Sequence, residues 1–311
     1  MEVAPFFEDV SGGPDGGIAH WIQSDDGVRI RVGHWPLEGA KGTILFFAGR
    51  NECVEKYGIA AGEMRDRGYA AVGIDWRGQG LADRLIADHR LGHVDDFADY
   101  QRDVTAILAH IDALELPKPY FLVGHSMGGC IGLEALHRGL PVAAACFTAP
   151  MWGVLLNPVV KLFARGFAAL TDVVGGSTRI APGQRPEPYI TYTSMAENGL
   201  TSDPEMYDFV LAQTTQHPEL AVGAPTTRWV GLALAETKRL SRLPSPNYAC
   251  LTFLGTDEDI VDPAEIHDRM ARWDGAELVM LQDARHEVMV ETPEHRRKLF
   301  DRMAAHFDAH L

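Results

Sequence analysis

The stretch Tyr120-Phe121-Leu122-Val123-Gly124-His125-Ser126-Met127-Gly128-Gly129-Cys130 decides how this chain is read. Tyr120 to Val123 is a short run of β-forming residues, and Cys130 to Leu136 continues as an apolar helical pattern. Between them, Gly124-His125-Ser126-Met127-Gly128 fits G-x-S-x-G where that motif is informative, directly after a strand and before a helix. A strained strand-to-helix bend lifts a serine Oγ clear of the sheet, and flanking glycines remove Cβ atoms that would clash there. The helix start adds free N–H groups near the reacting carbon. Ser126 is therefore the candidate nucleophile. Adjacent side chains diverge on such a bend, so His125 is expected to be a positional residue rather than a base.

Working outward, apolar runs alternate with helical patterns, the signature of a parallel sheet with helices on both faces. Thr43 to Phe47, Ala70 to Ile74, Val142 to Phe147, Ala249 to Leu254 and Glu277 to Leu281 read as further strands. Val54 to Arg67 reads as a helix stopped by Gly68. Phe97, Tyr100, Val104, Ile107, Leu108 and Ile111 mark a second helix, and two more follow Pro263 and Pro293. The rhythm breaks from about Met151 to Arg242, where turns such as Gly175-Gly176 and Pro182-Gly183 separate helical pieces. The expected organisation is a core formed by residues 1–150 and 243–311, with residues 151–242 inserted as a helical cap.

A serine needs a base within hydrogen-bond reach, itself oriented by a carboxylate, and on this framework the order is Ser, acid, His. His286 follows the strand Glu277 to Leu281 through a short loop and is the candidate base. The acid should follow Ala249 to Leu254, where Asp257, Glu258, Asp259 and Asp262 compete. Two oxyanion donors are also required. The backbone N–H of Met127, just after the nucleophile, is one; the loop Ala48-Gly49-Arg50-Asn51-Glu52 offers the N–H of Arg50 as the other.

These pieces together resemble the lysophospholipase and monoacylglycerol-lipase branch of the α/β-hydrolases, closest to the bacterial lysophospholipases. The matching blocks are Gly49 to Glu52 followed by Glu55-Lys56-Tyr57, Asp75 to Gly80, Gly92-His93-Val94, Gly124 to Gly129, Gly255 to Val261, and His286. The resemblance implies the α/β-hydrolase fold and places the acid at Glu258, where the branch more often has aspartate; Asp257 and Asp259 stay open as substitutes. It also implies hydrolysis, through an acyl-enzyme, of an ester carrying one acyl chain, a lysophospholipid or monoacylglycerol. Trp152, Leu155, Leu156, Phe163, Phe167, Met195 and Trp229 would line an acyl tunnel, or else simply pack the cap on the core. A carboxylesterase or thioesterase for small soluble acyl compounds is the rival within enzymes, and a non-catalytic ligand-binding protein of this fold is the rival outside them.

Composition narrows the field. A formal net charge of −15 repels phosphate backbones, so nucleic acid is not expected as a partner. Met1 to Val10 lacks a basic start and an apolar run, and no stretch reaches 18 apolar residues, so a cytoplasmic protein touching membranes at most transiently is expected. The four isolated cysteines read as buried thiols. His286-Glu287 begins like H-E-x-x-H, but position 290 is valine, and His89 and His93 have no glutamate between them. With no glycine-rich nucleotide motif either, neither a metal nor a cofactor is expected.

Overall fold

A computed structural model describes residues 1–155 and 175–311. Leu156, Phe163 and Phe167 therefore lie outside the described residues. Nine strands form one sheet: β1 (Glu2–Ala4), β2 (Ile18–Gln23), β3 (Arg29–Trp35), β4 (Thr43–Phe47), β5 (Ala70–Asp75), β6 (Tyr120–His125), β7 (Ala144–Thr148), β8 (Ala249–Gly255) and β9 (Glu277–Leu281). Their spatial order is β1-β2-β3-β5-β4-β6-β7-β8-β9. From β5 to β9 neighbours run parallel, whereas β1, β2 and β3 form an antiparallel extension that pairs with β5.

The intervening helices are α1 (Gly58–Arg65), α2 (Tyr100–Ala113), α3 (Met127–His137), α4 (Tyr189–Tyr192), α5 (Pro204–Gln216), α6 (Thr227–Ser241), α7 (Pro263–Ala271) and α8 (Pro293–Asp308). Consecutive residues of a strand face opposite sides. On β6, Phe121 stacks on Phe307 of α8, whereas Leu122 packs beside Gly132 of α3. The sheet is thus covered on both faces, and every residue of β4 through β7 is buried, as near-continuous apolar strands require.

Register sets the functional edge. Phe47 of β4 pairs with Gly124 of β6, His125 with Thr148 of β7, Thr148 with Phe253 of β8, and Gly255 with Leu281 of β9. The parallel strands therefore release the chain at one level. The loops carrying Arg50, Ser126, Glu258 and His286 all leave from that carboxyl edge, around the point where β5 and β6 flank β4 on opposite sides. Between β7 and β8 the chain leaves the sheet, and the described part of this excursion carries α4, α5 and α6.

Two differences from the sequence reading are local. Val54 to Arg67 is a 3-10 turn over Val54–Tyr57 followed by α1, rather than one helix. The strand expected from Val142 begins at Ala144, because the Val142 N–H closes a turn onto the Leu140 carbonyl at 2.8 Å. All four cysteines are free and buried. Among the described residues no helix is long and apolar enough to cross a membrane.

Candidate active site

Ser126 sits between β6 and α3 with φ 48° and ψ −117°, a left-handed conformation that strains a residue bearing a Cβ. The bend is held on three sides. The Ser126 N–H donates to the Thr148 carbonyl at 3.1 Å, and the Ser126 carbonyl accepts from Gly129 at 2.9 Å and Met151 at 2.8 Å. Gly128 has to be glycine, since a Cβ there would collide with the Phe47 carbonyl oxygen at the end of β4.

His286 lies buried in the loop after β9, and its Nδ1 is 2.7 Å from Glu258 Oε2. The other carboxylate oxygen, Oε1, accepts the N–H groups of Ile260 at 2.7 Å and Val261 at 2.9 Å. Burial pushes the Glu258 carboxyl up, but the His286 imidazole and these backbone donors outweigh it and hold the group below the ordinary glutamate range. Of the four carboxylates left open by the sequence, Glu258 is the one that meets the imidazole; Asp262 instead caps α7 through the Ala264 N–H. Ser126 and His286 line the same cavity.

The loop after β4 leaves past the start of α3, where a Cβ on Gly128 would meet the Phe47 and Ala48 carbonyl oxygens. Neither the Arg50 nor the Met127 N–H has an acceptor among the described residues. The loop is fixed from below: Trp76 Nε1 donates to the Ala48 carbonyl at 2.9 Å, Gln79 Nε2 to the Gly49 carbonyl at 2.8 Å, and the Gly49 N–H to Glu52 Oε2. The block Asp75 to Gly80 thus works as scaffold. Asp75 itself is clamped by the buried Arg31 at 2.7 Å and by the Val54 and Leu81 N–H groups.

Beneath the loop lies a buried polar network invisible to the sequence reading. Lys56 Nζ is 2.6 Å from both Glu52 Oε1 and Glu287 Oε1, Tyr57 donates to Glu52 Oε2 at 2.6 Å, and His125 Nε2 is 3.0 Å from Glu287 Oε2. Burial opposes charge on His125 and Glu287, yet the opposite charges around each prevail. They raise His125 and hold Glu287 well below the usual carboxylate range. His125 Nδ1 lies 3.0 Å from the Thr148 carbonyl, which gives this residue the positional surroundings expected of it. His125, His286 and Glu287 bring one potential ligand atom each within 4.8 Å of the others, but the Lys56 ammonium already occupies the cation position on Glu287. The only sequence trace of the network is the i, i+4 spacing of Glu52 and Lys56.

Two cavities meet at Ser126. One, of about 380 Å³, has a mixed wall in which His286, Asn51, Glu187 and Asp259 stand beside Ile190, Leu200 and Val222; the other, of about 660 Å³, is mainly apolar and is lined by Leu155, Val154, Trp229, Val230, Ala233 and Leu234 among others. Ser126, Arg50, Gln184 and Ile260 border both. Trp152 and Met195 line neither, which corrects their assignment to an acyl tunnel. Trp152 is core, wedged against Phe147 and Trp273 with Nε1 on the Gly129 carbonyl at 3.1 Å. The Met195 carbonyl accepts from Asn198 Nδ2 at 2.6 Å and from Arg285, in the segment that braces the histidine loop. That bracing is extensive: His286 N–H donates to Gly199, Glu287 N–H to Leu200, and Arg285 to Asn198 at 2.7 Å and Thr201 at 3.0 Å.

A serine aminopeptidase, S33, family model matches residues 38–293. The chain belongs to this family. As an S33 protein it is a hydrolase, and its relatives span it nearly end to end. It is 25% identical over 304 residues to the probable lysophospholipase L2 of Haemophilus influenzae, covering 96% of this chain and 92% of the relative. It is 26% identical over 310 residues to lysophospholipase L2 of Escherichia coli, covering 93% and 89%. Among solved structures, a soluble variant of the Saccharomyces cerevisiae monoglyceride lipase superposes with a TM-score of 0.72 at 19% identity, over 93% of this chain and 94% of that one. A Bacillus coagulans carboxyl esterase gives 0.76 at 13%, over 96% and 99%. These likenesses show the α/β-hydrolase fold.

Proposed function

We propose that this S33 hydrolase cleaves carboxylic esters of single-acyl lipids, with Ser126 as nucleophile, His286 as base and Glu258 as the carboxylate that orients it. The observation carrying this reading is the position of Ser126: it borders both the cavity that contains the His286–Glu258 pair and a larger, apolar one suited to a hydrocarbon chain. The names of the lysophospholipase relatives support the same substrate class.

In the mechanism, Glu258 accepts the Nδ1 proton of His286 in a hydrogen bond, leaving Nε2 to take the Ser126 proton. The serine oxygen attacks the ester carbonyl, and the Arg50 and Met127 N–H groups receive the developing oxyanion. Collapse breaks the ester bond; His286 returns its proton to the departing alcohol, and the acyl group stays on Ser126. Water, deprotonated by His286, then releases the fatty acid. Residues 151–242 act as the cap over these steps. Leu155, Tyr192 and Ile260, each more than a third exposed, border the cavities and would let a cytoplasmic enzyme draw its substrate from a lipid surface.

A fluorophosphonate probe should label the wild type and leave Ser126→Ala unlabelled; labelling that persists refutes the nucleophile. In a p-nitrophenyl ester series each methylene buried in the apolar cavity is worth about 0.8 kcal/mol, roughly fourfold in kcat/KM, until the cavity fills. A series that peaks at the shortest esters would favour small soluble substrates instead.

A further inference from the structure

Burying a guanidinium is costly unless a counter-ion or a full set of acceptors meets it, and the buried arginines among the described residues are met in one of these two ways. Arg31 is paired with Glu55 and Asp75, and Arg77 with Asp103 and Asp26. Arg269 spends its donors on the carbonyls of Leu240, Leu243 and Pro244 at the end of α6. Arg50 is different. It lies at the junction of the two cavities, and only its Nη1 is engaged, donating to Asn51 Oδ1 at 2.7 Å and to the Gly223 carbonyl at 2.9 Å. Its Nε and Nη2 have no acceptor, and its charge no carboxylate partner, among the described residues.

The remaining neighbours do not neutralise it. The Trp229 ring lies 5.5 Å away, an apolar surface that favours a cation without balancing it. Enclosure by the protein draws the guanidinium down to about 10, so it keeps its proton at neutral pH. The clamp onto Gly223 accounts for one nitrogen and leaves a planar pair of donors, the arrangement that matches two oxygens of a phosphate.

We propose that the Arg50 side chain is a phosphate subsite that sets headgroup specificity: it takes the phosphodiester oxygens of a single-acyl phospholipid in the smaller, mixed cavity while the acyl chain fills the apolar one. This rests on the reading that Ser126 cleaves single-acyl lipids. Glu187 and Asp259 line the same cavity and supply the opposite sign, while Arg185 on that wall lies over the Tyr192 ring; the two carboxylates fit a zwitterionic head whose ammonium lies beyond the phosphate. Glu52 and Glu287, also on that wall, are both engaged by the Lys56 ammonium, and His125 lies on Glu287.

The test compares kcat/KM on lysophosphatidylcholine and on the monoacylglycerol of equal chain length, in wild type, Arg50→Gln and Arg50→Lys. All three keep the Arg50 backbone N–H, so the readout is the ratio of the two substrates. The lysophospholipid-to-monoacylglycerol ratio should fall by roughly tenfold or more in Arg50→Gln and recover in part in Arg50→Lys, as expected for a lost charge-assisted contact. A ratio that stays put, even with both rates reduced, overturns the proposal and makes Arg50 a loop anchor only. Binding to Ser126→Ala by calorimetry gives a second arm. Tetradecylphosphocholine should bind more tightly than the neutral glyceryl ether of the same length, and lose that advantage when Arg50→Gln is added. Inorganic phosphate or glycerophosphocholine binding as tightly as the amphiphile would overturn the lipid source. Should the wild type hydrolyse neither lipid while this binding still depends on Arg50, the subsite stands and the catalytic reading fails.

Discussion

The Glu258–His286 contact makes a quantitative demand on the proposed triad. Replacing Glu258 by aspartate keeps the charge and removes one methylene, withdrawing the carboxylate by about 1.3 Å along the side chain. The present 2.7 Å separation from His286 Nδ1 then becomes about 4.0 Å. At an effective dielectric near 20, the attraction between a carboxylate and the imidazolium of the transition state drops from about 6 to about 4 kcal/mol. That loss of about 2 kcal/mol corresponds to roughly thirtyfold in kcat/KM. Glu258→Gln keeps the reach but removes the charge and turns one of the two acceptor oxygens into a donor, and should cost on the order of 10³- to 10⁴-fold. Ester hydrolysis at saturating and limiting substrate measures both. The reasoning is refuted if Glu258→Asp matches the wild type, or if Asp257→Asn or Asp259→Asn produces the larger loss.

Further expectations concern the groups around the site. Lys56→Met leaves Glu52 and Glu287 buried without their cation, so it should lower unfolding free energy by about 3 to 5 kcal/mol and slow hydrolysis of every ester tested; an unchanged urea midpoint would show that the network is not held by charge. Acid should destabilise the protein well before its carboxylates titrate. Burial, with the neighbouring His20 charge, pushes His34 and His110 down to about 4, so the folded state binds fewer protons than the unfolded one. Stability is therefore complete above about pH 6.5 and is lost as pH falls toward 4, by about 2 kcal/mol for each histidine at pH 5. Urea midpoints measured against pH should show this slope in the wild type and a shallower one in His34→Phe, where an identical slope would sink the explanation.

The parallel strands were legible because strands buried on both faces are written as short apolar runs, and the bend at Ser126 because glycine spacing there is a steric necessity. The antiparallel β1–β3 extension was not. Arg29-Ile30-Arg31-Val32-Gly33-His34-Trp35 carries two arginines, and only tertiary structure reveals that Arg31 is neutralised by Glu55 and Asp75. Glu258 stood out from its neighbours through family resemblance alone, because loop composition cannot say which of four carboxylates turns inward. Trp152 failed for the opposite reason. An aromatic at the start of an insertion is equally plausible facing a cavity or the core, and the Gly129 carbonyl that receives its Nε1 is 23 residues away. The hydrogen bonds from Arg285 and His286 to residues 195–201 left no sequence signal, since backbone carbonyls are the acceptors.

The polar network also explains why two histidine rings only 5.0 Å apart can serve different ends. His125 is wedged between Thr148 and Glu287, with the Thr148 carbonyl facing Nδ1 and a Glu287 carboxylate oxygen facing Nε2, so both ring nitrogens are turned to acceptors rather than to the serine. His286 has one nitrogen committed to Glu258 and the other uncommitted in the tautomer that this contact selects. Beneath the loop the Lys56 ammonium meets both Glu52 and Glu287, and His125 lies on the second oxygen of Glu287. A proton arriving on His286 meets the Glu258 carboxylate at 2.7 Å. Changes to the network should therefore act on catalysis through loop geometry, whereas changes to Glu258 act directly on the imidazolium.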